Sequence, residues 1–302
     1  MIVFYYTDID NLESIFADTT RSNQRLALKA IHRAYLNDDL QRTFGRYLLP
    51  SCIQDIETEL NVDPQMSVAP LLKDSRYVSF ILDSVNTFDD HRQALESFIV
   101  SFFEDQDNID LWRRNGNGGR GIALGFDTDK LRPDYERFSN VFNDKCSYWS
   151  DDIKKDGFKL DPSSKLYTSI KETYKLMTDP RVLDAFKSIF GQETPGSLPQ
   201  RIKDTLVSNI ITTFDLFNKQ DVWRNEKEYR IALSPVPLDV SFYKDGEGDY
   251  IPYISVLLPV DALRMLTIGP KCGKNSYGMV KSVFMRKGVM HDVRIMNSNV
   301  GL

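Results

Sequence analysis

From about residue 150 to 218 the chain reads as helix, and the sequence on both sides of that stretch reads as strand. Apolar residues recur at helical spacing over 163–190 and 199–218, parted by a loop holding Gly191, Pro195, Gly196 and Pro199. Before it, β-branched and aromatic runs mark strands at 2–6 and 98–103, and the glycine-rich turn 115–119 leads into a third at 120–126. After it, strands are expected at 226–234, 250–259 and 264–268, then a helix at 275–287 and a terminal strand at 292–295. Strands and helices do not alternate regularly, which favours α+β over a doubly wound sheet. The expected fold is α+β with a mixed, mainly antiparallel sheet. With no repeat and no linker-like tract, it is read as one domain over 1–302, the helices at about 150–218 forming an insertion.

The remaining elements follow from shorter signals. A helix is expected at 11–16, capped by Thr7-Asp8 or Asp10. Residues 22–60 read as helix on the recurrence of Leu26, Ala30, Ile31, Ala34 and Tyr35, broken at Asn37-Asp38-Asp39 and again at Pro50. Another helix is expected at 89–96, and a short one carries Leu111-Trp112 after the acidic turn 104–107.

Composition narrows the function. In 302 residues, 38 Lys and Arg against 43 Asp and Glu give a net charge of −5. That argues against broad nucleic-acid or membrane-surface binding and leaves room for a local basic patch. The three cysteines (Cys52, Cys146, Cys272) are isolated, with no metal-ligand spacing, so no metal site is expected and a reducing compartment suits them. The start of the chain lacks a basic n-region and no window reaches the length of a membrane span, so a cytoplasmic protein without membrane contact is expected. The three histidines, His32, His91 and His291, have no nucleophile-like partner nearby, and no GxSxG elbow occurs.

Four stretches could carry chemistry. Strand alternation at 120–126 puts Gly121, Ala123 and Gly125 on one face, which suits a closely packed helix or, alternatively, a ligand. Arg113, Arg114 and Arg120 surround the adjacent glycine turn and could attract phosphate, although no GxxxxGK[ST] or helix-opening GxGxxG is present. In 218–231, Glu226, Glu228 and Arg230 share a face of an expected strand that Trp223 precedes. Taken alone such a face is solvated. A glutamate there could also orient a ribose hydroxyl, stabilise a developing cation, or pair with Arg230. Tyr5, Tyr6 and Thr7 end the first strand, as core aromatics or as hydroxyls presented to a site. Asn37-Asp38-Asp39 reads as a turn or helix cap.

Together these stretches resemble the bacterial domain-of-unknown-function family 2971. The resemblance rests on Phe4-Tyr5-Tyr6-Thr7 with Leu12-Glu13-Ser14-Ile15, on Asn37-Asp38, and on Ser101-Phe102 with Leu111-Trp112-Arg113 and Gly119 through Phe126. It continues in Lys219, Trp223, Glu226, Glu228, Tyr229 and Arg230, then in Leu258-Pro259 and Leu266-Thr267-Ile268-Gly269-Pro270. Asp39 and Gln41 depart from the family's usual proline and glutamate, and no motif covers 150–218. A second resemblance, to the ADP-ribosyltransferase superfamily, lies in the order of a Tyr-Thr strand end, a middle Ser-Phe strand and a late Glu-x-Glu strand. It implies a split sheet with NAD as substrate. Tyr5, Tyr6, Thr7, Ser101, Trp112, Arg113, Arg120, Trp223 and Arg230 would line the nucleotide site. Glu228 would polarise the nicotinamide ribose and Glu226 would face an acceptor protein or nucleic acid. Tyr5-Tyr6 stands where that superfamily has arginine or histidine.

Three functions are carried forward from this. One is an NAD-consuming transferase or glycohydrolase, possible in a toxin or phage-defence setting. The second is a non-catalytic ligand-sensing or protein-binding module of such a system. The third is a Mg²⁺-dependent nuclease or phosphoryl-transfer enzyme using Asp38, Glu226 and Glu228.

Overall fold

The opening β-branched and aromatic run forms β1 (Ile2–Asp8), followed by a 3₁₀ turn that Asp8 caps through the backbone N–H of Asp10, and then α1 (Leu12–Ile15). The structure, a computed structural model, describes residues 1–16, 25–36, 48–86, 97–133, 138–149, 160–190, 200–235, 240–244, 248–289 and 293–301. The expected helix at 89–96, the Asn37-Asp38-Asp39 turn, the 191–199 loop, His91 and His291 lie outside the described residues. The chain forms two compact units, one of residues 1–35, 96–145 and 225–302, the other of 36–95 and 146–224.

The first unit is a ten-stranded, mixed, mainly antiparallel sheet. Besides β1 it contains β2 (Arg25–His32), β3 (Phe98–Phe103), β4 (Gly121–Asp127), β5 (Phe138–Lys145) and β8 (Glu228–Pro235). It is completed by β9 (Ser241–Lys244), β10 (Tyr250–Pro259), β11 (Leu263–Ile268) and β12 (Arg294–Asn297). β2 overturns the helix expected from residue 22. Leu26 and Ala30, four apart, fit either period. Leu28 and His32 are buried with them while Arg25, Ala27, Lys29 and Ile31 are half-exposed, an alternation that only a strand produces. From Leu49 the helical expectation holds, and Pro50 sits in the first turn of that helix, where its missing N–H costs nothing.

β3 is the branch point. β8 runs along one edge, from Phe98↔Leu233 to Phe103↔Glu228. A strand has two edges, so β2 (Ile31↔Ile99, His32↔Phe98) and β1 (Phe4↔Phe103) share the other, and the sheet splits between them. Tyr5 stands at this split. The burial of its hydroxyl there pushes its pKa up to about 12.

One sheet face carries the main core, with Val3, Phe98, Phe102, Leu124, Ile231, Val256 and Leu266. α1 and α9 (Ser276–Lys287) cover it, Phe16 meeting Phe284 edge-on with ring centroids 5.3 Å apart. β11, α9 and β12 form a parallel crossover unit. The opposite face, at β1 and β4, is covered by α5 (Ile109–Arg114), whose Leu111 and Trp112 pack on Phe4, Tyr6, Phe103 and Ala123.

The second unit holds α2 (Leu49–Glu59), α3 (Ala69–Lys73), α4 (Ser75–Asn86), α6 (Lys165–Thr178), α7 (Pro180–Phe190) and α8 (Gln200–Phe217). A two-stranded parallel sheet, β6 (Ser147–Trp149) with β7 (Asn218–Gln220), belongs to it. The buried Glu57 carboxylate organises α3. It accepts from Val68 N (2.8 Å), Ala69 N (3.2 Å), Ser67 Oγ (2.6 Å) and the Tyr174 hydroxyl (3.0 Å). Cys52, buried on the same helix α2, has its thiol pushed up to about 12 by burial; burial also raises the half-buried Cys272 of the first unit. A higher pKa means less thiolate at pH 8, so both are expected to react with a disulfide reagent far more slowly than a free thiol. All three cysteines should titrate in guanidinium; labelling of Cys52 in the native chain at a free-thiol rate would contradict the packing of α2.

Candidate active site

The site is built at the start of β8. Lys227, just before the strand, has φ +45°, a left-handed conformation that costs a side-chain-bearing residue energy. That turn interrupts the alternation. Glu226 stays in the 3₁₀ turn Asp221–Glu226, and only Glu228 and Arg230 share the strand face expected of all three. The solvated alternative is also overturned, since Glu226, Glu228 and Arg230 are 8%, 3% and 3% exposed. Arg230 grips Glu228 with two parallel bonds, Nε to Oε1 at 2.8 Å and Nη2 to Oε2 at 3.0 Å. Ser101 on β3 and Asp144 on β5 stand opposite Arg230 in register, so both lie on its face.

Glu226 is held from α5, Arg114 Nη1 lying 2.8 Å from its Oε1. Lys227 reaches Asp105 (3.2 Å), and its carbonyl accepts from Glu104 N (3.1 Å). Residues 226–228 are therefore tied one by one to α5, to the 104–105 turn and to Arg230.

Tyr6 lies on this same face, its ring edge-on to Phe103 (5.9 Å) and to Trp112 (4.8 Å). Its hydroxyl donates to Asp105 O (2.8 Å) and accepts from Asn108 N (3.4 Å), and burial raises its pKa. Tyr6, Ser101 and Glu228 thus occupy one face of three neighbouring strands. Tyr5 and Thr7 point the other way, Tyr5 against Phe102 (6.0 Å) and Thr7 accepting from Asn11 Nδ2 (2.9 Å). Strand alternation separates the three residues that the sequence groups together.

Trp112 is fully buried and donates from Nε1 to Asp107 (2.7 Å). Asp107 also accepts from Ser298 Oγ (2.6 Å) and Asn299 N (2.7 Å). Sequence reasoning passed over Asp105 and Asp107 as a turn; the Trp five residues on, whose indole N–H needs an acceptor when buried, was the available signal. The small face of β4 is filled by protein, as its helix-packing interpretation expects. A methyl on Gly121 would strike the Thr7 carbonyl oxygen, and one on Gly125 would lie 2.7 Å from the Phe4 ring. Arg113 is exposed and 3.7 Å from Asp110, and Arg120 is exposed at the glycine turn, where Asn117, Gly118 and Gly119 all have positive φ. Trp223 belongs to the second unit, with Lys219 Nζ 5.8 Å from its ring centre.

His32 is a packed core residue, its Nδ1 accepting from Ala34 N (3.2 Å) and its ring edge-on to Phe98 (5.2 Å). Among the described residues no group of three or more His, Cys, Asp or Glu side chains could hold a metal ion, and Asp38 is not among those residues. Nor, among them, is any helix long and apolar enough to cross a membrane.

The first unit is thus an α+β protein whose branched sheet buries charged side chains at its branch strand. A family model described as a protein of unknown function (DUF2971) matches residues 111–231, which supports the resemblance to that family. The match takes in Trp112, Arg113, Arg120, Glu226, Glu228 and Arg230, and stops short of Tyr6 and Ser101. No curated protein and no solved structure matches the chain.

Proposed function

We propose that the chain is an NAD-consuming enzyme with ADP-ribosyltransferase-type chemistry at Glu228. The observation that supports this is the gathering of Tyr6, Ser101 and the Glu228–Arg230 pair on one face beside the split of the sheet. In the reaction the bond from ribose C1′ to the nicotinamide nitrogen breaks, and nicotinamide leaves with the electron pair. A nucleophile on water or an acceptor then bonds C1′ and loses its proton. Positive charge develops on the ribose, and a carboxylate at Glu228 stabilises it where water is excluded. Arg230 holds that carboxylate in one orientation through its two parallel bonds. Ser101 supplies a hydroxyl for the nucleotide, and Glu226 faces the acceptor.

The test is nicotinamide release from NAD, followed by chromatography. Glu228→Gln is expected to reduce it about 10²–10³-fold, the usual effect of deleting such a stabilising group. The circular dichroism of the variant checks that it is folded. A second reading, a ligand-binding module without turnover, is favoured by the bidentate pair, in which both Glu228 oxygens already accept from Arg230. It expects saturable calorimetric binding of NAD or ADP-ribose without nicotinamide release. Absence of both overturns both readings.

A further inference from the structure

In a chain of net charge −5, the thirty residues 262–291 contain no Asp or Glu and six cations: Arg264, Lys271, Lys274, Lys281, Arg286 and Lys287. The run covers β11, the loop after it and α9. α9 buries Val280, Val283 and Phe284 in the core, so its other side faces outward with Tyr277, Gly278, Lys281 and Met285 exposed. Arg264 and Arg286 are drawn to Asp127 (3.4 Å) and Glu13 (2.5 Å), and Lys287 donates to the Phe16 carbonyl (2.9 Å). Lys271, Lys274 and Lys281 are exposed, and among the described residues none of them is ion-paired.

The loop before α9 is stitched to the glycine turn, Lys271 N donating to Gly119 O (2.8 Å) and Gly269 N to Gly121 O (2.9 Å). The stitching brings the turn that carries the exposed Arg120 beside this loop. Asp8, whose carboxylate accepts from Asn117, is its acidic neighbour. Gly118, Gly273 and Gly278 have open space where a side chain would stand, so a backbone can approach these points closely.

We infer that this surface binds the phosphodiester backbone of a nucleic acid. Lysines without acidic partners displace counterions from phosphates, an exposed tyrosine can stack on a base, and the open glycines leave room for the strand. A lipid surface fits less well, because the apolar side of α9 is already spent in the core. The site is independent of the chemistry at Glu228. Of the basic patch expected at Arg113, Arg114 and Arg120, Arg113 and Arg114 lie beside Asp110 and Glu226, and Arg120 stands on the turn bonded to the loop before α9.

The test is fluorescence anisotropy of the full chain with labelled 20-nucleotide single-stranded RNA, single-stranded DNA and duplex DNA, repeated from 50 to 200 mM salt. Binding of at least one is expected to weaken with salt. The variant Lys271→Gln, Lys274→Gln, Lys281→Gln should weaken it tenfold or more and lower the magnitude of the log–log salt slope by about 2–3, one phosphate contact per lysine. The control Lys73→Gln, Lys175→Gln, Lys203→Gln removes equal charge from the second unit and should leave affinity within twofold. No binding of any probe at 50 mM salt overturns the inference. So does an equal loss in the control, or binding to phosphatidylserine vesicles in place of nucleic acid.

Discussion

Replacing Arg230 with methionine is expected to destabilise the chain by about 3–5 kcal/mol, because it leaves the Glu228 carboxylate buried without its cation. Both side chains are nearly inaccessible (4% and 3% exposed), so water cannot take over from the guanidinium. Glu228→Gln alone is expected to cost less, since an amide oxygen still accepts one Arg230 donor. The double variant Arg230→Met, Glu228→Gln should recover part of the Arg230→Met loss, because no buried charge remains to be compensated. Urea unfolding of the four proteins measures the cycle. If the double variant is no more stable than Arg230→Met, the pair does not dominate the energetics here. Arg230→Met within 1 kcal/mol of the native chain would mean that Glu228 reaches solvent, contrary to its burial.

That result bears on the function as well as the fold. Holding two charges in a sheet interior is weak evidence for stability, since apolar side chains of similar volume often do as well. Retaining the pair beside Ser101, with Glu226 pinned separately by Arg114, is easier to understand where an oriented carboxylate is used. The left-handed Lys227 fits the same view. It turns the chain so that two glutamates two residues apart receive different partners, one from α5 and one from β8.

The elements most readable from sequence were those whose pattern admits one period. The run at 98–103, the ten residues 250–259 and the helices over 163–190 and 199–218 all appear where alternation or helical spacing puts them. β2 failed because its anchors, Leu26 and Ala30, are four apart, a spacing compatible with both periods. β5, with Asn140, Asn143, Asp144 and Lys145, carries too few apolar residues to announce a strand and depends on its ladder with β8. At the candidate site, residue types were visible but orientation was not. Alternation alone could have separated Tyr6 from Tyr5 and Thr7, whereas the isolation of Glu226 depends on one backbone dihedral at Lys227 that no side-chain pattern records. The branch at β3 was invisible for a related reason. It arises from three strands distant in sequence competing for two edges.

Trp112→Ala is expected to lower stability by about 3–5 kcal/mol, the cost of emptying a large buried aromatic site. The indole is fully buried between Tyr6 and α5's own C-terminal turn, where even a methyl on Gly116 would lie 2.5 Å from its Cε3. Collapse into the vacated space is therefore opposed on one side by backbone and on the other by a strand. Trp112→Phe separates packing from hydrogen bonding. It retains an aromatic ring against Tyr6 and removes the Nε1 donor to Asp107, so about 1–3 kcal/mol is expected from the hydrogen bond and the smaller ring. Asp107 keeps Ser298 and Asn299, and the segment at 298–299 should stay docked in the phenylalanine variant. Hydrogen exchange at the Asn299 amide reports this directly, since that N–H donates to Asp107 Oδ2 at 2.7 Å. Protection retained in Trp112→Phe and lost in Asp107→Ala assigns the docking to the carboxylate; loss in both would assign it to the indole. In either case Tyr6 is positioned by Trp112, so the alanine variant should also disturb any ligand that the Tyr6 face receives.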